Sequence, residues 1–284
     1  MSDGAKGAIW SGGVMSGPKG TDRSKGIDPS EERPAGHREA NAPSHARGKS
    51  EPDFAHVDSW VFDLDNTLYP SHCDLFAQID VKITAFVSKT LSLPPVEARL
   101  LQKRYYAEHG TTLSGLMKVN GLNPSTFLDY VHDIDLAPLD GVPDLSAALS
   151  RLPGKRYVFT NGSRAHAENV TRKLGIDHLF HDVFDIHAAG YNPKPSEHAF
   201  DRFFEATGAA PERSAMFEDL ARNLVPAHRR GMTTILIRTG KDWGPVAGEH
   251  PDHPAHVHHI AGDLGQFLGT LILGTLKFAP ASRA

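Results

Sequence analysis

The chain has 284 residues, of which 39% are hydrophobic and 23% charged, enough for one large domain or two modest ones but not for a packed core along its whole length. A formal net charge of -4 gives no electrostatic ground for nucleic acid as a bulk partner. Cys73 is the only cysteine, which excludes an intrachain disulfide and a cysteine-built metal site.

Met1 to Trp10 lacks the continuous apolar core of a signal peptide. The most apolar run, around Leu268 to Phe278, is short and broken by Gly269, Gly274 and Lys277, so no membrane partner is expected and a soluble cytoplasmic protein is the default. Residues 1–53 are crowded with Gly, Ser, Pro, Lys, Arg, Glu and His and have almost no large apolar side chains after Trp10. Such a segment cannot bury enough surface to offset its ordering entropy, so a disordered tail is expected. An inert extension, a docking tail and a start site at Met15 all fit that composition.

Trp60-Val61-Phe62 has the β-branched and aromatic content of a buried strand and runs straight into Asp63-Leu64-Asp65-Asn66-Thr67. Strand alternation sets Asp63 and Asp65 on one side, and two carboxylates so close repel unless a cation or a shared proton lies between them. Cys73 to Leu91 has helical spacing, with Leu75, Ile79, Ile83, Phe86 and Val87 on one stripe. Pro94-Pro95 opens a second helix that Gly110 stops, Thr111 to Gly121 holds a third, and Asn123-Pro124 starts a fourth. Residues 73–135 are therefore expected as a helical insertion after the first strand.

Strand and helix then alternate. Strands are expected at Arg156–Thr160, Val183–Ile186, Ala215–Phe217, Thr233–Ile237 and Val257–Ile260, with helices at Val142–Leu152, Ala165–Leu174, Glu197–Thr207, Ala221–Arg230 and Asp263–Lys277. This alternation predicts an α/β fold, a Rossmann-like doubly wound parallel sheet over residues 54–72 and 136–278, with its ligand site beyond the carboxyl ends of the strands.

Four polar groups fall where that architecture gathers function. Asp63/Asp65, Thr160-Asn161 and Glu218-Asp219 follow apolar strands, and Lys194 stands in the Asn192-Pro193-Lys194-Pro195 turn. Singly, each has a plain structural explanation: a turn, a helix cap or a solvated lysine. Together they supply a nucleophile, an acid, hydroxyl and amide donors, a cation and metal ligands, which is the inventory of phosphoryl transfer. The stretch containing His250, His253, His256, His258 and His259 is irregular and interrupted by proline, so it is expected as a loop entering a strand rather than a metal site.

With these motifs the chain resembles the haloacid dehalogenase (HAD) superfamily of phosphohydrolases over roughly Val57 to Leu273. Tyr105 to Met117, Tyr130 to Asp133, Phe159 to Gly162, Tyr191 to Pro195 and Phe217 to Asp219 are similar to the pyrimidine 5'-nucleotidase subfamily. The resemblance implies an aspartyl-phosphate on Asp63, Asp65 as acid and then base, and Lys194 as charge balance. It implies phosphate contacts from Thr160 and from backbone amides near Asn161 and Gly162. Mg²⁺ would be held by Asp63, the Asp65 main-chain carbonyl and Asp219, with Thr67, Glu218 and Asn223 behind them; Asn223 stands where many relatives carry a third acid. The insertion would be a mobile cap, with Tyr106, His109, Thr111, Thr112, His132 and Arg164 as candidate substrate contacts. The expected substrate is a small phosphate ester, foremost a nucleoside monophosphate. Sugar phosphate, phosphoglycolate and pyridoxal phosphate are alternatives, as is a non-catalytic binding module on the same fold. The acid at Asp65 favours an ester over a halide, because halide leaves without a proton.

Overall fold

The computed structural model describes residues 54–238 and 254–274, and the tail expected at residues 1–53 lies outside them. Six strands form one parallel sheet in the order β3-β2-β1-β4-β5-β6. They are β1 (Ser59–Phe62), β2 (Lys155–Phe159), β3 (Asp182–Phe184), β4 (Ser214–Glu218), β5 (Thr233–Ile237) and β6 (His259–Ala261). The predicted strands are all present, though β3 stops before Ile186 and β6 starts later than the apolar text suggested. Val257 is spent instead on the turn that enters β6, where its amide donates to the Pro254 carbonyl at 2.9 Å.

Strand alternation divides the core into two layers. Trp60, Phe62, Val158, Ala215, Phe217, Ile235 and Ile237 share one apolar cluster with α5 (Pro143–Arg151), α6 (Arg164–Leu174) and α9 (Leu264–Gly274). Val61, Tyr157, Phe159, Met216 and Leu236 share the other with α7 (Glu197–Thr207) and α8 (Val225–Arg229). Helices on both faces of a parallel sheet make the doubly wound architecture. The helix expected at Ala221–Arg230 is split, because Ala221–Leu224 forms a 3₁₀ turn and Pro226 stands in the first turn of α8.

Between β1 and α5 the chain makes four helices, α1 (Leu75–Leu91), α2 (Pro95–His109), α3 (Thr112–Asn120) and α4 (Pro124–Val131). They bury a third apolar cluster built from Ile79, Val87, Ala98, Tyr105, Leu113, Leu116, Phe127, Leu128 and Val131, with Ile186 joining from the loop after β3. Thr111 caps α3 through its hydroxyl, which accepts the Ser114 amide, and Asn123 caps α4 in the same way through Ser125. Among the described residues, no helix is long and apolar enough to cross a membrane.

Sheet order places the functional crevice. The chain leaves β1 at the centre, runs outward through β2 and β3, then returns to β4 on the other side of β1. Connections diverge at that switch, so the carboxyl ends of β2, β1 and β4 open onto one cleft.

Candidate active site

Asp63 follows β1 directly, and its amide still donates to the Phe217 carbonyl of β4 at 2.9 Å, so the sheet register fixes its position. The backbone then turns away at Asn66, whose positive φ of 61° is a left-handed conformation that asparagine tolerates. Asp63 and Asp65 line the same cavity, a space of about 190 Å³ beneath the four-helix segment.

Lys194 is the hub of the site and only 2% exposed. Its Nζ donates to Asp63 Oδ1 at 2.7 Å, to Glu218 Oε2 at 2.8 Å and to the Phe159 carbonyl at 2.6 Å. Three donors meet three acceptors, which satisfies the ammonium completely. Burial works against the charge, but Asp63 and Glu218 more than offset it and raise the Lys194 pKa above the usual lysine range. Asn161 places the lysine loop, since its side chain accepts the Lys194 amide at 2.7 Å and donates to the Lys194 carbonyl at 3.2 Å.

The acids respond differently to their surroundings. Burial, with the Glu218 charge close by, pushes the Asp63 carboxyl from 3.8 up to about 7 against the pull of Lys194. Burial and the charges of Glu218 and Asp63 likewise raise Asp219 well above the usual carboxylate range. Burial alone would raise Asp65 too, but His166 beside it and hydrogen bonds from His166 and Tyr69 hold it down at about 2. Two adjacent motif carboxyls are thus driven apart, Asp63 toward its protonated form and Asp65 toward its ionised one.

The carboxylates of Asp63, Glu218 and Asp219 each bring an oxygen within 4.8 Å of the others. Asn223 is 3% exposed and its Oδ1 has no hydrogen-bond partner, an orphaned acceptor beside an acidic cluster. An all-oxygen donor set with excess negative charge and a spare buried amide oxygen fits a hard divalent cation. Asn66 Nδ2 donates to Asp219 Oδ2 at 3.3 Å, and the Leu220 amide donates to Glu218 Oε1 at 3.2 Å.

Of the residues expected to touch phosphate, Thr160, Asn161 and Gly162 line the cavity, with the Gly162 amide bonded to Thr160 Oγ1 at 2.9 Å. Of those expected to touch substrate, Tyr106, Thr111, Thr112 and His132 line it. His109 and Arg164 do not. His109 lies against the Tyr105 ring, at 5.6 Å between centroids. Arg164 is turned toward β3, where its guanidinium donates to Asp182 at 2.8 Å and to the Val183 carbonyl, which removes it from the cleft. Thr67 also lies outside this cavity, beside a second depression near the start of α9. His256 Nε2 donates to the Ala221 carbonyl at 2.8 Å, and His258 Nδ1 pairs with Thr234 Oγ1 at 2.8 Å. His250 and His253 lie outside the described residues.

Sequence reasoning missed His166, Tyr69 and Arg222. Tyr69 and His166 both bond Asp65 Oδ1, at 2.7 and 2.9 Å. Arg222, three residues past Asp219, covers the Tyr106 ring at 4.7 Å and donates to its hydroxyl, joining the β4 loop to α2. His166 had one legible signal. It falls on the buried stripe of α6 with Ala167, Val170, Thr171 and Leu174, where an imidazole is out of place without a partner.

A glyceraldehyde 3-phosphate phosphatase of Methanopyrus kandleri is 28% identical over 196 residues, covering 64% of this chain and 84% of that protein. Phosphate metabolism protein 8 of Saccharomyces cerevisiae is 28% identical over 202 residues, covering 62% of this chain and 60% of the yeast protein. The crystal structure of a HAD phosphatase from Thermococcus onnurineus superimposes with a TM-score of 0.53 at 18% identity, covering 77% of this chain and 98% of that one, a likeness of fold. A family model for haloacid dehalogenase-like hydrolases matches residues 57–229, more than half of the chain, and the chain belongs to that family.

Proposed function

We propose that the protein is a Mg²⁺-dependent phosphomonoesterase that works through an aspartyl-phosphate and prefers pyrimidine nucleoside monophosphates. The observation that carries the reading is the convergence of Asp63, Asp65, Lys194, Glu218 and Asp219 at the carboxyl ends of β1 and β4, with both motif aspartates open to one cavity.

Asp63 is the nucleophile: a carboxylate oxygen bonds to phosphorus as the ester P–O bond breaks. Asp65 gives its proton to the departing alkoxide, then takes one from the water that attacks the aspartyl-phosphate. A phosphate dianion brought against Asp65 disfavours its carboxylate, which supplies the protonated form the first step needs. Thr160 and the amides near Asn161 and Gly162 hold the phosphoryl oxygens, and Lys194 fixes Asp63 and balances its charge. Mg²⁺ would be held by Asp63, the Asp65 main-chain carbonyl and Asp219, with Glu218 and Asn223 behind them. It supplies charge neutralisation between the carboxylate and phosphate.

The four-helix segment is read as the cap over residues 73–135. It presents Phe76, Ile79, Ile83, Phe127, Leu128 and Val131 to the cavity, with Tyr106, Thr111 and Thr112 as polar contacts. That lining suits a leaving group with a broad apolar face and a few polar edges, which a nucleobase has and a short hydroxyacid lacks. The name of the archaeal relative favours a second reading, a small sugar phosphate as substrate.

Phosphate release from UMP, CMP, AMP, glyceraldehyde 3-phosphate, phosphoglycolate and p-nitrophenyl phosphate, with and without Mg²⁺ and beside Asp63→Asn, separates these readings. Mg²⁺-dependent turnover that favours UMP and CMP and is lost in the variant is the expected result. Preference for a small sugar phosphate replaces the substrate, and turnover that survives Asp63→Asn overturns the mechanism.

A further inference from the structure

The acid-base aspartate does not stand alone. Asp65 Oδ1 accepts from the Tyr69 hydroxyl at 2.7 Å and from His166 Nε2 at 2.9 Å. Both bonds fall on the same oxygen. Two donors on Oδ1 restrain rotation of the carboxyl plane and leave Oδ2 outside both bonds.

His166 is itself held on three sides. It is 2% exposed. Its amide donates to Ser163 Oγ, the N-cap of α6, at 3.3 Å. Its ring stacks on His132 with centroids 4.4 Å apart and planes 11° from parallel. His132 directly follows α4, lines the cavity and bonds Ser163 Oγ through Nδ1 at 2.9 Å. One serine hydroxyl thus ties the backbone of His166 to the ring that braces it. Ser163, His132 and His166 close a ring of contacts from which His166 Nε2 reaches Asp65, built from the start of α6 and the chain leaving the helical segment.

We propose that His166 is a positioning residue for Asp65, fixing through its Nε2–H the carboxyl orientation in which Oδ2 delivers a proton to the leaving oxygen, with His132 as its brace. The proposal rests on the phosphatase reading above. In the step concerned, the Asp65 proton passes to the ester oxygen as the bond from that oxygen to phosphorus breaks and the Asp63 oxygen bonds to phosphorus. His166 neither gains nor loses a proton.

A misaligned acid penalises only leaving groups that need a proton. An alkyl phosphate needs one, whereas p-nitrophenolate leaves as the anion. The test is kcat/KM, which reports events up to release of the first product, for the best alkyl ester and for p-nitrophenyl phosphate in wild type, His166→Phe and His166→Gln. Phenylalanine keeps the stack and removes the donor; glutamine returns a donor at a similar reach. The expected result for His166→Phe is a loss of about 10²-fold on the alkyl ester, the scale of a misplaced catalytic group, and under about threefold on p-nitrophenyl phosphate. His166→Gln recovers at least about tenfold of the alkyl loss, a fraction of what general acid catalysis contributes. Equal losses on both esters, undiminished alkyl turnover in His166→Phe, or no recovery in His166→Gln overturns the proposal while leaving the phosphatase reading intact. Absence of Asp63-dependent turnover in the wild-type protein removes both together.

Discussion

At the scale of single residues, Lys194 shows how a buried charge can be indispensable without being a source of net stability. Its ammonium sits between Asp63 and Glu218 with 1% of its side chain exposed. Paired charges in such a place roughly offset their own desolvation, but one partner removed leaves the other uncompensated. Lys194→Met is therefore expected to cost about 3–5 kcal/mol in urea unfolding at neutral pH. Adding Glu218→Gln to it should recover a good part, because one of the two stranded carboxylates is gone. A single variant within about 0.5 kcal/mol of wild type, the range of an ordinary surface change, would show that the ion pairs are not what hold this hub.

At the scale of elements, the contact of α2 with α3 controls the cavity. A Cβ built on Gly115 would lie 2.4 Å from the Tyr105 ring, closer than atoms can approach, so α3 packs here only because residue 115 has no side chain. Tyr106 is the next residue on α2, and Thr111 and Thr112 start α3, so any separation of these helices moves three cavity-lining groups. Gly115→Ala is expected to lower stability by about 1–3 kcal/mol through overpacking and to raise KM while kcat changes less. Unchanged melting temperature and KM would mean that the two helices slide apart without cost. The elements themselves were largely legible, because β1, β2 and β4 end in the polar text that lines the cleft, and α2, α3 and α4 carry Gly110, Thr111 and Asn123 as stop or cap. Pro226 forced a break the hydrophobic pattern hid, since apolar spacing through Leu224 and Ala227 continues across the 3₁₀ turn. The site was legible where it lies on strand ends and illegible where helices contribute to it. His166 and Arg222 reach Asp65 and Tyr106 across sequence separations of 101 and 116 residues, and only the packing of α6 and α2 brings them there.

At the scale of the whole molecule, the acidic cluster ties folding to proton binding and, under the proposed function, to metal binding. The Asp63 pKa rises from 3.8 to about 7 on folding, so between those values the native protein holds a proton the unfolded chain has lost. Stability from this group is full below about pH 4 and declines as pH rises through about 7. Asp219 shifts in the same direction. Asp65 has the opposite sign: its contribution is present above 3.8 and is lost as pH falls toward about 2, so it is constant through the neutral range. A cation held by Asp63 and Asp219 has to displace their protons, which makes its binding weaker on the acid side. Metal-free protein should thus lose thermal stability from pH 5 to pH 8 at this site, and saturating Mg²⁺ should restore more at pH 8 than at pH 6. At a hundred times the dissociation constant the gain is about 2.7 kcal/mol. Melting temperatures with Mg²⁺ and with chelator across that range measure the widening gap, and calorimetry in buffers of different ionisation enthalpy counts the protons released. A Mg²⁺ effect that is equal at both pH values, with no proton release, would place the cation away from Asp63 and Asp219 and leave their raised acidity constants to the buried ion pairs alone.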